Sequence, residues 1–174
     1  TFGLELNVQE AAMAKKKGHL VYGTPLETIK FDVKFHAITL WDVFEHIKCG
    51  FFYLNFMKSL LVDKSGLIFL QIPSVDALAA RILQEKCNMF DGLEHVNLYG
   101  VNTIKKLANR CGLDVLDIRT VISEIGVINN YLSYDDPYLG GTDNKSHIPH
   151  LIGEKELHEH LMGYKMQVIL GEAK

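Results

Sequence analysis

The chain has 174 residues, 48% hydrophobic and 22% charged, enough for one domain with a sizeable core. A formal net charge of −3 offers no basic field to nucleic acid or an anionic bilayer, so neither is expected as a partner. No apolar run reaches the ~18 residues of a membrane span, and the opening residues lack the basic start and long apolar stretch of a secretion signal. Cys49, Cys87 and Cys111 stand at no metal-ligand spacing and their odd number makes a poor disulfide framework. A reduced, cytoplasmic setting is the expectation.

In chain order, Phe2 to Leu6 reads as a short strand, and Asn7 as the cap of a helix that Gly18 stops, with Lys15, Lys16 and Lys17 at its solvated end. His19 to Tyr22 is a second strand, closed by Gly23, Thr24 and Pro25. A third strand is expected from Phe35 to Leu40, and an amphipathic helix from Phe52 to Leu61. Leu67 to Ile72 is nearly continuous apolar sequence, as in a parallel strand covered on both faces. Ser74 is placed to cap a helix running to Lys86; a polar connector from Asn88 to Tyr99 follows, then a helix from Asn102 to Cys111 closed by Gly112. Leu113 to Ile118 is a strand, 133–156 a long polar loop, and Lys165 to Leu170 a last strand.

Strands alternating with helices of this length imply βαβ units and a parallel sheet. Ligands of such sheets bind beyond the carboxyl ends of the strands. Glu5, Gly23-Thr24, Trp41-Asp42 and Pro73-Ser74 occupy those positions.

Several segments, in order and spacing, resemble the class I S-adenosylmethionine-dependent methyltransferases, in particular the group similar to ubiquinone-biosynthesis and sugar-modifying enzymes. These are Gly3-Leu4-Glu5, Gly23-Thr24-Pro25-Leu26-Glu27, Phe31-Asp32-Val33 followed by the stretch from Ile38 to Ile47 with its Asp42-Val43-Phe44-Glu45-His46, and Gly66 to Ser74. Leu93-Glu94-His95, Val101 to Ile104, Gly112 to Val115 and Met162 to Lys165 continue the likeness. The resemblance implies a Rossmann-like three-layer αβα sandwich whose sheet is mostly parallel with an antiparallel terminal strand. It also implies an enzyme that transfers a methyl group from S-adenosylmethionine, leaving S-adenosylhomocysteine, to a small-molecule acceptor at oxygen or nitrogen.

Carried onto this sequence, the family's pattern gives Glu5 the ribose hydroxyls, a pairing suited to a carboxylate's two acceptor oxygens. Leu6, Thr24, Pro25 and Leu26 would line the adenosyl group, and Trp41 and Asp42 would stand between cofactor and acceptor. Asp42 is equally well placed to cap the helix after Val43. His46 and His95, each preceded by a glutamate, are candidate proton acceptors for a hydroxyl substrate, with a purely structural histidine as the alternative. No metal is expected: His147, His150, His158 and His160 read as a polar loop and a solvated helix face. Trp41 and the Phe51-Phe52-Tyr53 cluster read as core or as a wall of the acceptor pocket.

The glycine loop that wraps the methionine part of the cofactor in that family occurs nowhere among these residues. The expectation is therefore a partial domain over residues 1–174, lacking the first strand and glycine loop and binding cofactor poorly. The family's first strand lies between its second and fourth, so its absence should leave unpaired strand edges able to join two copies. The competing reading is a non-catalytic Rossmann-like binding or assembly module.

Overall fold

A computed structural model describes residues 1–133 and 152–173; His147 and His150 lie outside them. The chain falls into two compact units, Thr1–Lys34 and Phe35–Lys174.

In the first unit, strands β1 (Phe2–Leu4) and β2 (Leu20–Tyr22) pair in parallel, Leu4 opposite Tyr22. Helix α1 (Val8–Lys16) connects them. Its start is local chemistry: the Asn7 side chain accepts the backbone N–H groups of Gln9 and Glu10 at 2.9 and 3.3 Å. Phe2, Tyr22 and Phe31 form an aromatic cluster, with Tyr22 and Phe31 edge-to-face at 5.5 Å.

In the second unit, β3 (Ala37–Trp41), β4 (Leu67–Pro73), β5 (Leu113–Val121) and β6 (Lys165–Glu172) form one sheet in the order β3-β4-β6-β5. The first pair is parallel, and β6 is antiparallel to both its neighbours. The expected antiparallel terminal strand is therefore present, inserted inside the sheet. Alternation along β4 and β6 defines the core. Ile68, Leu70 and Ile72 stand opposite Leu170, Val168 and Met166, and all six are fully buried. The other face is only half covered, because it carries Gln71, Gln167 and Lys165; burial of β4 on both faces is thus not what the sheet shows.

The helices of this unit are α2 (Gly50–Ser59), α3 (Leu78–Leu83), α4 (Val101–Arg110), α5 (Ile125–Ser133) and α6 (Glu154–Glu159). The helix expected from Ser74 begins only at Leu78, after Ala77, and of the stretch 133–156 expected as a loop, Ser133 and Glu154–Glu156 are helical, while 134–151 lie outside the described residues. Leu54 and Met57 of α2 and Ile104 and Ala108 of α4 are buried, whereas Phe51 and Phe52 are exposed on the outer face of α2 and are not core. Helix α4 starts where the Asp76 carboxylate accepts the Val101 N–H at 2.7 Å and the Thr103 hydroxyl accepts that of Gly100, also at 2.7 Å. It ends at Gly112, whose φ of +66° is the left-handed conformation glycine adopts without strain.

Candidate functional site

Each unit presents its candidate residues at the carboxyl ends of parallel strands. In Thr1–Lys34, Glu5 directly follows β1, and its N–H donates to the Tyr22 carbonyl at 3.0 Å, which sets it beside Gly23 and Thr24 at the end of β2. The Glu5 carboxylate accepts the Asn7 N–H at 2.8 Å through Oε1. Oε2 and the outer lone pairs are left for a hydroxyl donor. Leu6 is 61% exposed, Thr24 and Pro25 are exposed, and Leu26 begins a single 3₁₀ turn, Leu26–Thr28. This rim is open to a flat, partly apolar group.

In Phe35–Lys174, Trp41 and Asp42 close β3. Trp41 is 56% exposed and lies against Phe69 with ring centroids 4.6 Å apart, so it is a surface aromatic and not a core residue. Asp42 adopts φ +52°, a left-handed backbone unusual for a residue with a Cβ, and its N–H donates to Gln71 O at 2.9 Å. Its carboxylate does not cap a helix. The following Phe44–His46 is a 3₁₀ turn with no side-chain cap. Instead Asp42 Oδ2 pairs with the Lys165 ammonium and accepts Gln71 Nε2 at 3.3 Å, while Gln167 Nε2 donates to Gln71 Oε1 at 2.9 Å. Trp41, Gln71, Gln167 and Arg119 occupy one register line across four strands. A polar band thus crosses the half-covered face at the β3 and β4 carboxyl ends. Asp42 Oδ1 is buried there without a hydrogen bond.

The turn after Asp42 delivers Glu45 and His46, and the connector after β4 delivers His95. Glu45 is 2% exposed and neither of its oxygens has a hydrogen-bond partner. Burial pushes its carboxyl above the ordinary value, with the Asp42 charge adding in the same direction. His46 Nδ1 lies 2.8 Å from Glu94 O, and His95 Nδ1 2.9 Å from Met89 O and 3.1 Å from Asp91 Oδ2. The two rings are 5.0 Å apart. The connector is itself pinned. Asp91 Oδ1 accepts the N–H groups of Leu93, Glu94 and His95, and Asn97 donates its N–H to Glu45 O at 3.0 Å and its side-chain amide to Ile47 O at 2.6 Å.

Sequence reading singled out Asp42, His46 and His95 separately, and the structure brings the rings of His46 and His95 together. Sequence reading missed Lys165, Gln71 and Gln167, which come from strands far apart in the chain. The only signal was a polar residue at alternate positions of otherwise apolar strands. Of the other histidines considered, His158 is not on a solvated face: it is half-buried, with Nδ1 3.0 Å from the Thr120 hydroxyl. A cleft lined by Asn55, Lys58, Asp63 and Glu172 lies toward the amino ends of β3 and β4. There Lys58 donates to the carbonyls of Cys111 and Gly112 and pairs with Glu172, a structural use.

The strand order and the single reversed strand define a class I methyltransferase fold, and solved structures agree. Magnesium protoporphyrin IX methyltransferase from Synechocystis PCC 6803, solved with bound S-adenosylhomocysteine, superposes with a TM-score of 0.59 at 11% identity, over 99% of this chain and 64% of that one. An S-adenosylmethionine-dependent methyltransferase from Clostridium acetobutylicum gives 0.61 at 12% identity, over 100% and 75%. A possible histamine N-methyltransferase from Thermotoga maritima gives 0.61 at 14%, over 100% and 73%. The chain therefore spans about two thirds to three quarters of these structures' own lengths. No protein-family model and no curated protein matches the sequence. The fold is that of the class I S-adenosylmethionine-dependent methyltransferases.

Proposed function

We propose that the chain is the greater part of one S-adenosylmethionine-dependent methyltransferase domain acting on a small-molecule oxygen or nitrogen acceptor. The observation that carries this reading is the sheet order β3-β4-β6-β5 with β6 reversed. Glu5 fits the ribose, since its carboxylate keeps free acceptor capacity at an open strand end. Leu6, Thr24, Pro25 and Leu26 form the adenosyl rim. Trp41 and Asp42 orient the acceptor side, with Lys165 and Gln71 holding the Asp42 carboxylate. Bound S-adenosylmethionine supplies a methyl group on a sulfonium. The chain's own task is to align the acceptor and exclude water. His46 and His95, their rings 5.0 Å apart, bound the acceptor side. The sequence carries no glycine-loop pattern for the methionine part of the cofactor, so these 174 residues by themselves bind it poorly.

Calorimetric titration with S-adenosylhomocysteine tests the reading. The 174-residue chain is expected to bind more weakly than micromolar. Protein expressed from the whole reading frame is expected to bind at micromolar concentration and to weaken at least tenfold on Glu5→Ala, the roughly 1.4 kcal/mol of a charge-assisted hydrogen-bond pair. No binding by the whole reading frame's product would favour instead a non-catalytic Rossmann-like assembly module, the reading that the absent glycine loop supports.

A further inference from the structure

We propose that Glu45, His46 and His95 form a divalent-cation site with two imidazole nitrogens and one carboxylate oxygen as its protein ligands. The inference goes beyond the methyltransferase reading and does not depend on it, since cation binding is measured without cofactor.

Ligand atoms of the three side chains lie within 4.8 Å of one another. A point central to three such atoms is no more than about 2.8 Å from each, so movements under about 1 Å bring all three to the 2.0–2.2 Å of a zinc-type bond. Hydrogen bonding has already prepared the rings. A carbonyl oxygen only accepts, so the bonds to Glu94 O and Met89 O place the proton of each ring on Nδ1. In the neutral form of such a ring the lone pair is on Nε2, and His46 Nε2 lies 4.0 Å from Glu45 Oε1. An imidazole whose Nδ1–H is held by a carbonyl or carboxylate while Nε2 is free is the arrangement found in metal-ligating histidines.

Glu45 supplies the second, independent observation. It is 2% exposed, with both oxygens lacking a hydrogen bond among the described residues, and His46 Nε2 lies 4.0 Å from Oε1. A buried carboxylate with no partner is costly, and a cation between it and the rings satisfies it. The Asn97 hydrogen bonds hold the connector to the turn and the Asp91 bonds brace the connector itself, which fixes His95 relative to Glu45 before any ligand arrives. The donor set of two imidazoles and one carboxylate suits zinc and its first-row neighbours; magnesium and calcium prefer all-oxygen sites. Three protein ligands leave a coordination position open, and His46, with its side chain 37% exposed, stands on the solvent side of the cluster.

The test is calorimetric titration of the chelator-treated full chain with Zn²⁺ alone, and visible and proton NMR spectroscopy with Co²⁺ alone. One cation is expected to bind per chain. Glu45→Gln and His95→Ala are each expected to weaken it by about a hundredfold or more, while His158→Ala, away from the cluster, leaves it unchanged. Circular dichroism establishes that the variants are folded. The unaltered protein gives a readout free of that concern: two exchangeable imidazole N–H signals shifted by bound Co²⁺, from the two Nδ1–H groups. Absence of binding at millimolar cation, binding that survives Glu45→Gln and His95→Ala, or a Co²⁺ spectrum without two shifted imidazole N–H signals would each overturn the proposal.

Discussion

At the scale of single residues, the polar band sets stability against arrangement. Asp42 holds a left-handed backbone and a carboxylate shared between Lys165 and Gln71. Asparagine tolerates that backbone and keeps a hydrogen-bonding group, but leaves the half-buried Lys165 charge without its partner. Alanine loses both. Asp42→Asn is therefore expected to cost about 1–2 kcal/mol and Asp42→Ala about 1–2 kcal/mol more, read as the shift in urea midpoint at constant slope. The reverse order would mean that the backbone at this position carries no strain. Tyr99 makes a pH-dependent prediction. Burial, and next the Glu45 carboxylate, push its phenol up to about 12 from 10.0. The fold thus favours the neutral phenol. Its contribution is complete below pH 10.0 and is lost as pH rises through about 12, on the order of 3 kcal/mol in all. Tyr99→Phe is expected to remove that part of the alkaline loss. Superimposable alkaline melting curves for the two proteins would refute it.

At the scale of elements, helix α4 shows how a start is built from outside the helix. The Asp76 carboxylate caps it from the segment after β4, and a Cβ at Gly100 would lie 2.6 Å from Asp76 Oδ2. Gly100→Ala is expected to displace that cap and cost about 1–2 kcal/mol, with early loss of α4 protection in hydrogen exchange. Protection unchanged from that of the unaltered chain would show that Asp76 is dispensable. The α4 pattern was legible in the sequence because its apolar residues recur at helical spacing, and so was its closure at Gly112. The Ser74 start was not. A serine before an apolar run looks like a cap, but Val75 N–H goes to Tyr99 O and the helix waits until Leu78. That pairing across 24 residues outweighs a local preference.

At the scale of the whole molecule, the strand edges carry the main consequence. Among the described residues β1 pairs only with β2, and β3, a five-residue strand, takes only β4 as a sheet neighbour. Unpaired edges of that kind seek another strand. Sedimentation equilibrium is expected to show self-association of this chain as concentration rises, stronger at high salt where like charges are screened. A single monomeric species across the accessible range would exclude pairing through these edges.

Periodicity and turn chemistry by themselves determined the alternation of strands and helices and the carboxyl-end positions of Glu5, Thr24 and Asp42. These depend on neighbours a few residues away, which a sequence displays directly. Tertiary structure alone decided that Asp42 answers Lys165 across 123 residues and not the next helix, that Glu45 is buried without a hydrogen bond, and that His46 and His95 turn their Nδ1 atoms to carbonyls and face each other. The reason is physical. A side chain's partner and its solvent exposure are set by strand order and packing between distant segments, and no local pattern encodes which carbonyl an imidazole will meet.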